Sequence, residues 1–167
     1  MKRKSLRLKG HNYSSDGYYF ITICTYNRDP YFEWHPQLKC IIEQTWVSLP
    51  LRFPNIQIDE FIVMPDHFHG IVGIVGAGLA PALNNDQAAA RAAPTVGQMI
   101  GTFKSLCVYQ WSEFITSNGL NISCKFWQRN YYDRIIRNES ELNKIRQYIQ
   151  NNPVERSQKN QNRFYSE

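Results

Sequence analysis

The stretch "MPDHFHGIV", Met64–Val72, decides the fold of this chain and contains two of its four histidines. Side chains two residues apart on a β-strand point to the same face, so His67 and His69 would share one face of a strand. The apolar residues that alternate with them would turn to the opposite face and enter a core: Phe68, Val72 and Ile74. Two imidazoles that meet at one point are typical of a metal site, but such a site needs at least one more ligand.

Around this stretch the sequence alternates between strand patterns and helix patterns. Pro65 and Asp66 form a turn pair between two apolar runs, which predicts a β-hairpin. β-branched and aromatic content predicts the strands, and apolar residues at helical spacing predict the helices, with prolines at 50, 54 and 153 expected to end them. The predicted strands are 18–26, 56–64, 67–75 and 124–137, and the predicted helices begin at Pro36, at the cap residue Thr95 and at Asn138, which resembles a capping box with Glu141.

The order of these elements is β-α-β-β-α-β, followed by one extra C-terminal helix. That order is typical of the ferredoxin-like α+β fold, in which two helices cover one face of a four-stranded antiparallel sheet. The extra helix is then the natural cover for the opposite face, to which the histidines point. The domain is expected to span residues 18–153, with a basic arm at 1–17, an Ala- and Gly-rich loop at 76–95 and a polar tail at 154–167.

The composition favours a cytoplasmic protein with a polyanionic partner. The 167 residues are 43% hydrophobic, which is enough for one packed core, and the net charge of +5 suits nucleic acid. A basic soluble protein without such a partner is the alternative on charge alone. The four cysteines have no CxxC spacing, and no apolar signal or membrane segment is visible. Reduced thiols and a cytoplasmic, nucleoid-associated location are therefore expected.

The candidate partner for the two histidines lies in "RQYIQNNP", residues 146–153 of the last helix. Tyr148 and Asn152 are four residues apart, so they share a helical face. Asn152 offers an amide oxygen to a metal, and Tyr148 offers a phenol as nucleophile. Each pattern has a structural alternative: histidines satisfied in a core, a packing tyrosine, or an asparagine that stops a helix before proline. Only their coincidence on facing elements favours a site.

Four motifs resemble those of the REP-associated tyrosine transposases, which belong to the HUH single-tyrosine nucleases: "MPDHFHGIV", "FKS" (103–105), "FWQRNYYDRIIRNESEL" (126–142) and "RQYIQNNP". They follow the family order between residues 18 and 153, and Phe68 stands where the family has a bulky apolar residue between the histidines. The resemblance implies a metal-dependent endonuclease and transposase that cleaves and rejoins single-stranded DNA. Its implied targets are palindromic repeats that fold into hairpins.

The same resemblance implies the roles of the site residues. His67, His69 and Asn152 would bind Mg²⁺ or Mn²⁺, and Tyr148 would attack the DNA. The products would be a covalent 5′-phosphotyrosine and a free 3′-hydroxyl. Rival candidates for the nucleophile and a candidate general base also occur nearby: Tyr131 and Tyr132, and Asp66, which equally suits a turn.

Basic residues interleaved with aromatic residues favour single-stranded DNA, because bases stack on aromatic rings while cations follow the backbone. The candidate DNA-binding residues are Lys2, Arg3, Lys4, Arg7, Lys104, Lys125, Arg129, Arg134 and Arg137. The aromatic residues among them could instead be sheet core, with the charges facing solvent. The sequence leaves the choice between a monomer and a dimer open.

The alternative function is a non-catalytic module that binds single-stranded nucleic acid on a ferredoxin-like sheet. Metal dependence separates the two, because a pure binding module needs no metal. A nucleotide phosphohydrolase is disfavoured. Histidine-triad hydrolases need a third histidine where this chain has Ile71, and the paired-HxT/S phosphoesterases need a second motif that the chain lacks.

Overall fold

The four strands form one antiparallel sheet that contains the predicted hairpin. The computed structural model of the protein describes residues 17–75 and 94–164, with side chains up to residue 152. Its elements are β1 (Gly17–Cys24), a 3₁₀ turn (Tyr26–Arg28), α1 (Tyr31–Trp34), α2 (Pro36–Arg52), β2 (Ile56–Met64), β3 (His67–Ile74), α3 (Val96–Ser117), β4 (Tyr132–Ile136) and α4 (Glu139–Phe164). The strand order is β2-β3-β1-β4, and neighbouring strands are antiparallel. The predicted ferredoxin-like fold with an extra C-terminal helix is confirmed. The arm up to residue 16 and the loop at 76–93 lie outside the described residues.

One face of the sheet carries the main core, which α2 and α3 cover. Phe68, Val72 and Ile74 of β3 are all buried on this face, as the alternation predicted. The ring of Phe68 lies 4.7 Å from that of Trp46 on α2 and 5.4 Å from that of Phe103 on α3, measured between ring centroids. Large aromatic rings bury much apolar area, so this contact anchors both helices to the strand.

The opposite face carries a smaller apolar cluster under α4. Ile71 of β3 and Ile136 of β4 pack there against Leu142 and Ile149 of the helix. His69 is two residues from Ile71 and shares its face, where only 6% of its surface is exposed. The prediction that the last helix covers the histidine face is confirmed.

The edge strand β2 contains a β-bulge that the sequence pattern did not predict. The register of β2 against β3 shifts between Ile58 and Phe61, so that Asp59 and Glu60 together stand opposite Ile71. A bulge interrupts the strict alternation of side chains along a strand. Two adjacent acidic residues can therefore both reach towards α4.

Two helices continue through prolines that were predicted to end them. α2 contains Pro50 and ends at Arg52, whereas α4 contains Pro153 and ends at Phe164. A proline inside a helix removes a hydrogen bond and bends the helix, at a cost of about 3 kcal/mol, but the helix can resume. Good helix formers such as Glu, Arg, Gln and Lys follow Pro153, and residues 154–164 are helical. None of the described helices is both long enough and apolar enough to cross a membrane.

The last strand is shorter than predicted. The expected strand covered 124–137, but β4 is only five residues long. Phe126 and Trp127 are buried in the main core, where Trp127 makes a single bridge to Thr25. Aromatic content indicates burial as readily as it indicates a strand, so the pattern could not separate the two. The 3₁₀ turn and α1 were missed because they are too short to show a period.

Side-chain caps fix the starts of the two long helices that follow the hairpin. Thr95 Oγ1 accepts from the backbone N–H of Gln98, and Gln98 Oε1 accepts from that of Thr95, which confirms the predicted cap as a full capping box. Asn138 Oδ1 accepts from the N–H of Glu141 at 2.9 Å, so the predicted α4 cap is also present. The Glu141 carboxylate, however, accepts from the backbone N–H of Arg137 instead of closing the box.

Candidate active site

The two histidines of β3 are each held through Nδ1. Thr22 on β1 stands directly opposite His69, and its Oγ1 lies 2.9 Å from His69 Nδ1. Asp66 in the hairpin turn places Oδ1 2.8 Å from His67 Nδ1. The two imidazole rings are 4.5 Å apart, edge to face. Because Nδ1 of each ring is engaged, Nε2 is the atom that each ring can present to a metal, an arrangement typical of metal-binding histidines.

The surroundings keep His69 neutral. Burial lowers the pKa of His69 to about 3, and positive charge on His67 and Arg28 acts in the same direction. A neutral imidazole is the form that binds a metal. Arg28 Nη1 lies 3.6 Å from Asp66 Oδ2, so Asp66 lies between the guanidinium and His67.

Helix α4 brings Tyr148 to the histidines. The Tyr148 hydroxyl lies 3.5 Å from His69 Nε2, and its ring meets those of His69 and Phe20 at angles typical of edge-to-face contacts. Despite these contacts, 44% of Tyr148 remains exposed. Ile149, the next residue, is buried under the helix and fixes which side of α4 faces the strand. A packed ring with an accessible hydroxyl suits a nucleophile.

The opposite side of α4 is tied to the bulge of β2. Arg146 donates through two nitrogens to the two carboxylate oxygens of Asp59, with Nε 2.9 Å from Oδ1. Gln150 Nε2 donates to Glu60 Oε1 at 3.1 Å. Arg146 and Gln150 are four residues apart and therefore share a side of the helix, as Tyr148 and Asn152 share the other. These contacts oppose rotation of the helix about its axis.

Asn152 fits the role of a third metal ligand. Its amide nitrogen Nδ2 is buried and has no hydrogen-bond partner. The nitrogen and oxygen of an amide exchange places when the group turns over, and the oxygen would then occupy this buried position. Within residues 17–75 and 94–152 there is no cluster of three or more His, Cys, Asp and Glu side chains that could hold a metal. A neutral oxygen beside two imidazoles is a donor set compatible with Mn²⁺ or Mg²⁺.

The rival tyrosines lie on β4 and immediately before it, and not on α4. Tyr131 packs against the main core. Tyr132 is on β4, opposite Thr22, so the whole of β1 separates it from the strand of His69. Asp66 forms the predicted turn and orients His67. The fold brings the Tyr148 hydroxyl to a histidine nitrogen.

The predicted DNA-binding residues separate into groups. Lys104 donates to the backbone carbonyls of Gln128 and Arg129 at 2.6 and 3.0 Å, and burial lowers its pKa, so this ammonium fastens the loop before β4. Arg134 pairs with Glu141, and Lys125 Nζ lies 4.5 Å from the ring centre of Tyr26. Two more are exposed at the surface: Arg129 and Arg137. The remaining four lie outside the described residues: Lys2, Arg3, Lys4 and Arg7.

Three contacts that support the site were not predicted from the sequence: Thr22 with His69, Arg28 with Asp66, and Arg146 with Asp59. Each joins two residues distant in the chain, so no local spacing marks it. The one usable signal was for Thr22, since a polar residue inside the apolar strand "YYFITICTY" needs a hydrogen-bond partner.

Comparisons with known proteins give a sequence relative and solved structures of similar fold. No protein-family model matches the chain. A Haemophilus influenzae protein, described only as uncharacterised, is 38% identical over 165 residues, which cover 91% of this chain and 88% of that protein. The structure of a REP-associated tyrosine transposase bound to a REP hairpin is similar with a TM-score of 0.54 at 18% identity, covering 90% of this chain and 74% of that one. At that identity, the likeness concerns the fold.

Proposed function

The chain belongs to one family with the Haemophilus influenzae protein and shares its fold with a REP-associated tyrosine transposase, and from this premise we propose that it is a metal-dependent nuclease that cuts and rejoins single-stranded DNA. Tyr148 is the nucleophile, and His67, His69 and Asn152 hold the metal. The observation that carries the proposal is the Tyr148 hydroxyl 3.5 Å from His69 Nε2, beside two histidines that are both held through Nδ1.

Tyr148 attacks the scissile phosphorus through its phenolic oxygen. The hydroxyl loses its proton, a new oxygen–phosphorus bond forms, and the bond to the 3′-oxygen breaks. The DNA is left as a 5′-phosphotyrosine on the protein and a free 3′-hydroxyl, so a later attack by a 3′-hydroxyl can rejoin a strand without new energy input. The packing of the ring against Phe20 and His69 holds the nucleophile in place for this attack.

The histidine pair supplies the metal-binding half of the site. A bound divalent cation would polarise the scissile phosphate and stabilise charge in the transition state. Thr22 and Asp66 engage Nδ1 of the two rings, which leaves Nε2 of each as the atom that would bind the ion, and burial keeps His69 in its neutral, metal-binding form. The buried amide of Asn152 supports its place as the oxygen ligand.

The substrate class follows from charge and from the fold relative. The chain carries a net charge of +5, and exposed cations such as Lys125 and Arg129 lie in the segment that precedes β4. The transposase of similar fold was solved with a REP hairpin. We extend that substrate to this chain as part of the proposal, so its targets are single strands that fold into hairpins.

The test asks which end of a labelled DNA strand becomes covalently bound to the protein. Wild-type protein, Mn²⁺ and a hairpin-bearing single strand should give a band on a denaturing gel that carries a 3′-label, resists denaturant and disappears on proteolysis. A 5′-label should instead appear on a shortened free strand that ends in a 3′-hydroxyl. Tyr148→Phe keeps the packed ring but lacks the attacking oxygen, so it should bind DNA and form no adduct.

The matched control is Tyr132→Phe, which removes the exposed hydroxyl of β4 and should still form the adduct. Adduct formation by Tyr148→Phe would disprove the assignment of the nucleophile. Cleavage by the wild type without an adduct would indicate hydrolysis by water, and binding without cleavage under any divalent metal would leave the non-catalytic binding module as the function.

A further inference from the structure

A small cleft lies beyond the end of β1, next to the histidine site. It has a volume of about 240 Å³ and is lined by Thr25, Tyr26, Asn27, Arg28, Gln128 and Tyr132. None of the roles assigned above to metal binding or nucleophilic attack uses it. Its lining combines two aromatic rings, two side-chain amides and a guanidinium, so it offers a ligand both stacking surfaces and hydrogen-bonding groups.

The backbone of the cleft is held in an unusual shape. Asn27 and Arg28 are consecutive and both left-handed, with φ of 55° and 63°. Such a conformation costs of order 1–3 kcal/mol for each non-glycine residue, so surrounding contacts must enforce it. Thr25 supplies them, since its hydroxyl lies 2.9 Å from the carbonyl oxygen of Asp66 and 2.7 Å from that of Asp29.

That turn brings Arg28 to the edge of the histidine site. Its guanidinium lies 3.6 Å from the carboxylate of Asp66, whose other oxygen holds His67. The Arg28 side chain is still 56% exposed, so it can also contact a ligand. A DNA phosphate bound at Arg28 would therefore lie next to the phosphate that the metal and Tyr148 act on.

Tyr132 faces the same side of the sheet as the histidines. It stands directly opposite Thr22, whose hydroxyl binds His69, and residues directly opposite on paired strands share a face. Tyr132 is 48% exposed and Tyr26 is 42% exposed. Exposed rings at a cationic site are platforms on which unpaired bases stack.

The amides add the ability to distinguish bases. Asn27 and Gln128 each carry both a donor and an acceptor, which can pair with the edge of a base that is not already paired. Lys125 over the ring of Tyr26 adds a second positive charge beside the cleft. Aromatic faces, amide edges and a guanidinium match the base, the base edge and the phosphate of one nucleotide.

We propose that this cleft is a nucleotide subsite, which takes one unpaired nucleotide next to the scissile phosphate, with its base against Tyr26 and Tyr132 and its phosphate on Arg28. The proposal rests on the proposed function, because it places that nucleotide beside the cleavage site. It adds a means by which this protein chooses where in a single strand it cuts.

The experiment uses the Tyr148→Phe protein, so that binding is measured without cleavage. A set of hairpin-bearing single strands carries the fluorescent base 2-aminopurine at one position each in the flanking unpaired segment. One position should show a fluorescence change on binding, and an abasic residue there should weaken binding by about 5- to 150-fold, the range for losing one stacked base. Abasic residues further away should have little effect.

Tyr132→Ala or Tyr26→Ala, each added to the Tyr148→Phe protein, should abolish the fluorescence change at that position. The abasic residue there should then no longer weaken binding. Arg28→Gln should weaken binding of the intact and abasic strands alike, because it removes a phosphate contact. The matched control is Trp34→Ala, which removes a more exposed ring from α1 and should leave both the fluorescence change and the abasic penalty as they are. Tyr132→Phe keeps the stacking face and should behave like the parent.

Two results would overturn the subsite. In one, no flanking position responds although the wild-type protein forms the covalent adduct. In the other, Tyr132→Ala leaves the response and the abasic penalty intact. A response at one position in a protein that forms no adduct would instead retain the subsite and refute the proposed nuclease.

Discussion

At the scale of single residues, the motif "MPDHFHGIV" carries one constraint beyond its histidines. Gly70 lies between Phe68 and Val72 on the side of β3 that α2 and α3 cover. A Cβ at Gly70 would come within 2.7 Å of the Trp46 ring and 2.9 Å of the Phe68 ring. The two rings are themselves packed together, so neither has room to move away. The glycine is therefore needed for the strand to approach α2 closely.

We expect Gly70→Ala to destabilise the protein by about 1–3 kcal/mol, the usual cost of overpacking a core. Urea unfolding of the metal-free protein measures this. Gly101→Ala is the matched control, because no atom of another element lies within 4 Å of a Cβ there and alanine is the better helix former. That variant should be at least as stable as the wild type. Equal stability of both variants would show that the Trp46 contact can relax.

The histidines should make the stability of the protein depend on metal. A metal that binds only the folded protein raises the melting temperature, so Mn²⁺ should raise that of the wild type. His67→Ala and His69→Ala should remove most of this rise while the proteins stay folded by circular dichroism. His35→Ala, which changes a histidine next to Trp111, should keep it. An undiminished rise in both site variants would mean that the pair is structural.

At the scale of elements, the orientation of α4 depends on two sets of contacts. Its apolar residues pack on the sheet, which sets the distance of the helix from the sheet and the side that faces β3 but still permits small rotations about the helix axis. On one side of the helix, Arg146 and Gln150 donate to Asp59 and Glu60 in the bulge of β2. On the other side, Tyr148 contacts His69. A shift of about 1 Å at a nucleophile can cost a hundredfold in rate. Under the proposed function, we therefore expect these polar contacts to matter more for catalysis than for stability.

Asp59→Asn tests whether the contacts to the bulge affect catalysis more than stability. Adduct formation with Mn²⁺ should slow clearly, whereas the free energy of unfolding should fall by about 1 kcal/mol, because asparagine keeps one acceptor for Arg146, whose side chain is 34% exposed. Glu43→Gln is the control, because it breaks the exposed Lys39–Glu43 pair on α2 without touching α4. If Asp59→Asn forms the adduct as fast as this control, the contacts to the bulge do not position Tyr148.

The Asp59 pair should also respond to pH. The hydrogen bond from Arg146 lowers the pKa of Asp59 below its ordinary value of about 3.9. The folded state then holds the charged carboxylate more strongly than the unfolded state does. This stabilisation is present above the unfolded pKa and is lost as pH falls through the folded pKa. The stability difference between wild type and Asp59→Asn, measured by urea unfolding, should therefore shrink below about pH 4. A difference as large at pH 2 as at pH 7 would have another cause.

At the scale of the whole molecule, the two faces of the sheet differ in what they contain. The α2–α3 face holds the main apolar core, and the α4 face combines a small core with the candidate site. The net charge of +5 and the basic residues of the first nine positions add a long-range attraction for polyanions, of which DNA is the proposed partner. Such attraction depends on ions in solution, which gives it a measurable signature.

Binding of Tyr148→Phe to single-stranded DNA should weaken steeply with salt. Each phosphate neutralised contributes about −0.7 to the slope of log affinity against log salt for single strands. Deletion of residues 1–9 should make the slope shallower if the arm touches DNA. Arg52→Gln at the end of α2 should leave it unchanged. A slope near zero for the intact protein would refute a nucleic-acid role altogether.

Much of the fold was determined by the sequence itself, because the responsible patterns are local. The period of two at residues 67–74 assigned Phe68 and Val72 to one face and His69 to the other, and the structure agrees. Four-residue spacing placed Tyr148 and Asn152 on one side of α4, and the element order predicted the sheet. These inferences need only the geometry of a strand or a helix.

The supporting contacts were decided by the tertiary structure alone. Thr22 binds a histidine 47 residues away, and Arg146 binds a carboxylate 87 residues away. The bulge at Asp59 and Glu60 and the left-handed turn at Asn27 and Arg28 have no signature in composition or period. The physical reason is that both are set by partners on other elements, which meet only when the sheet has formed. The sequence thus determined which residues could act, and the folded chain determined what holds them in position.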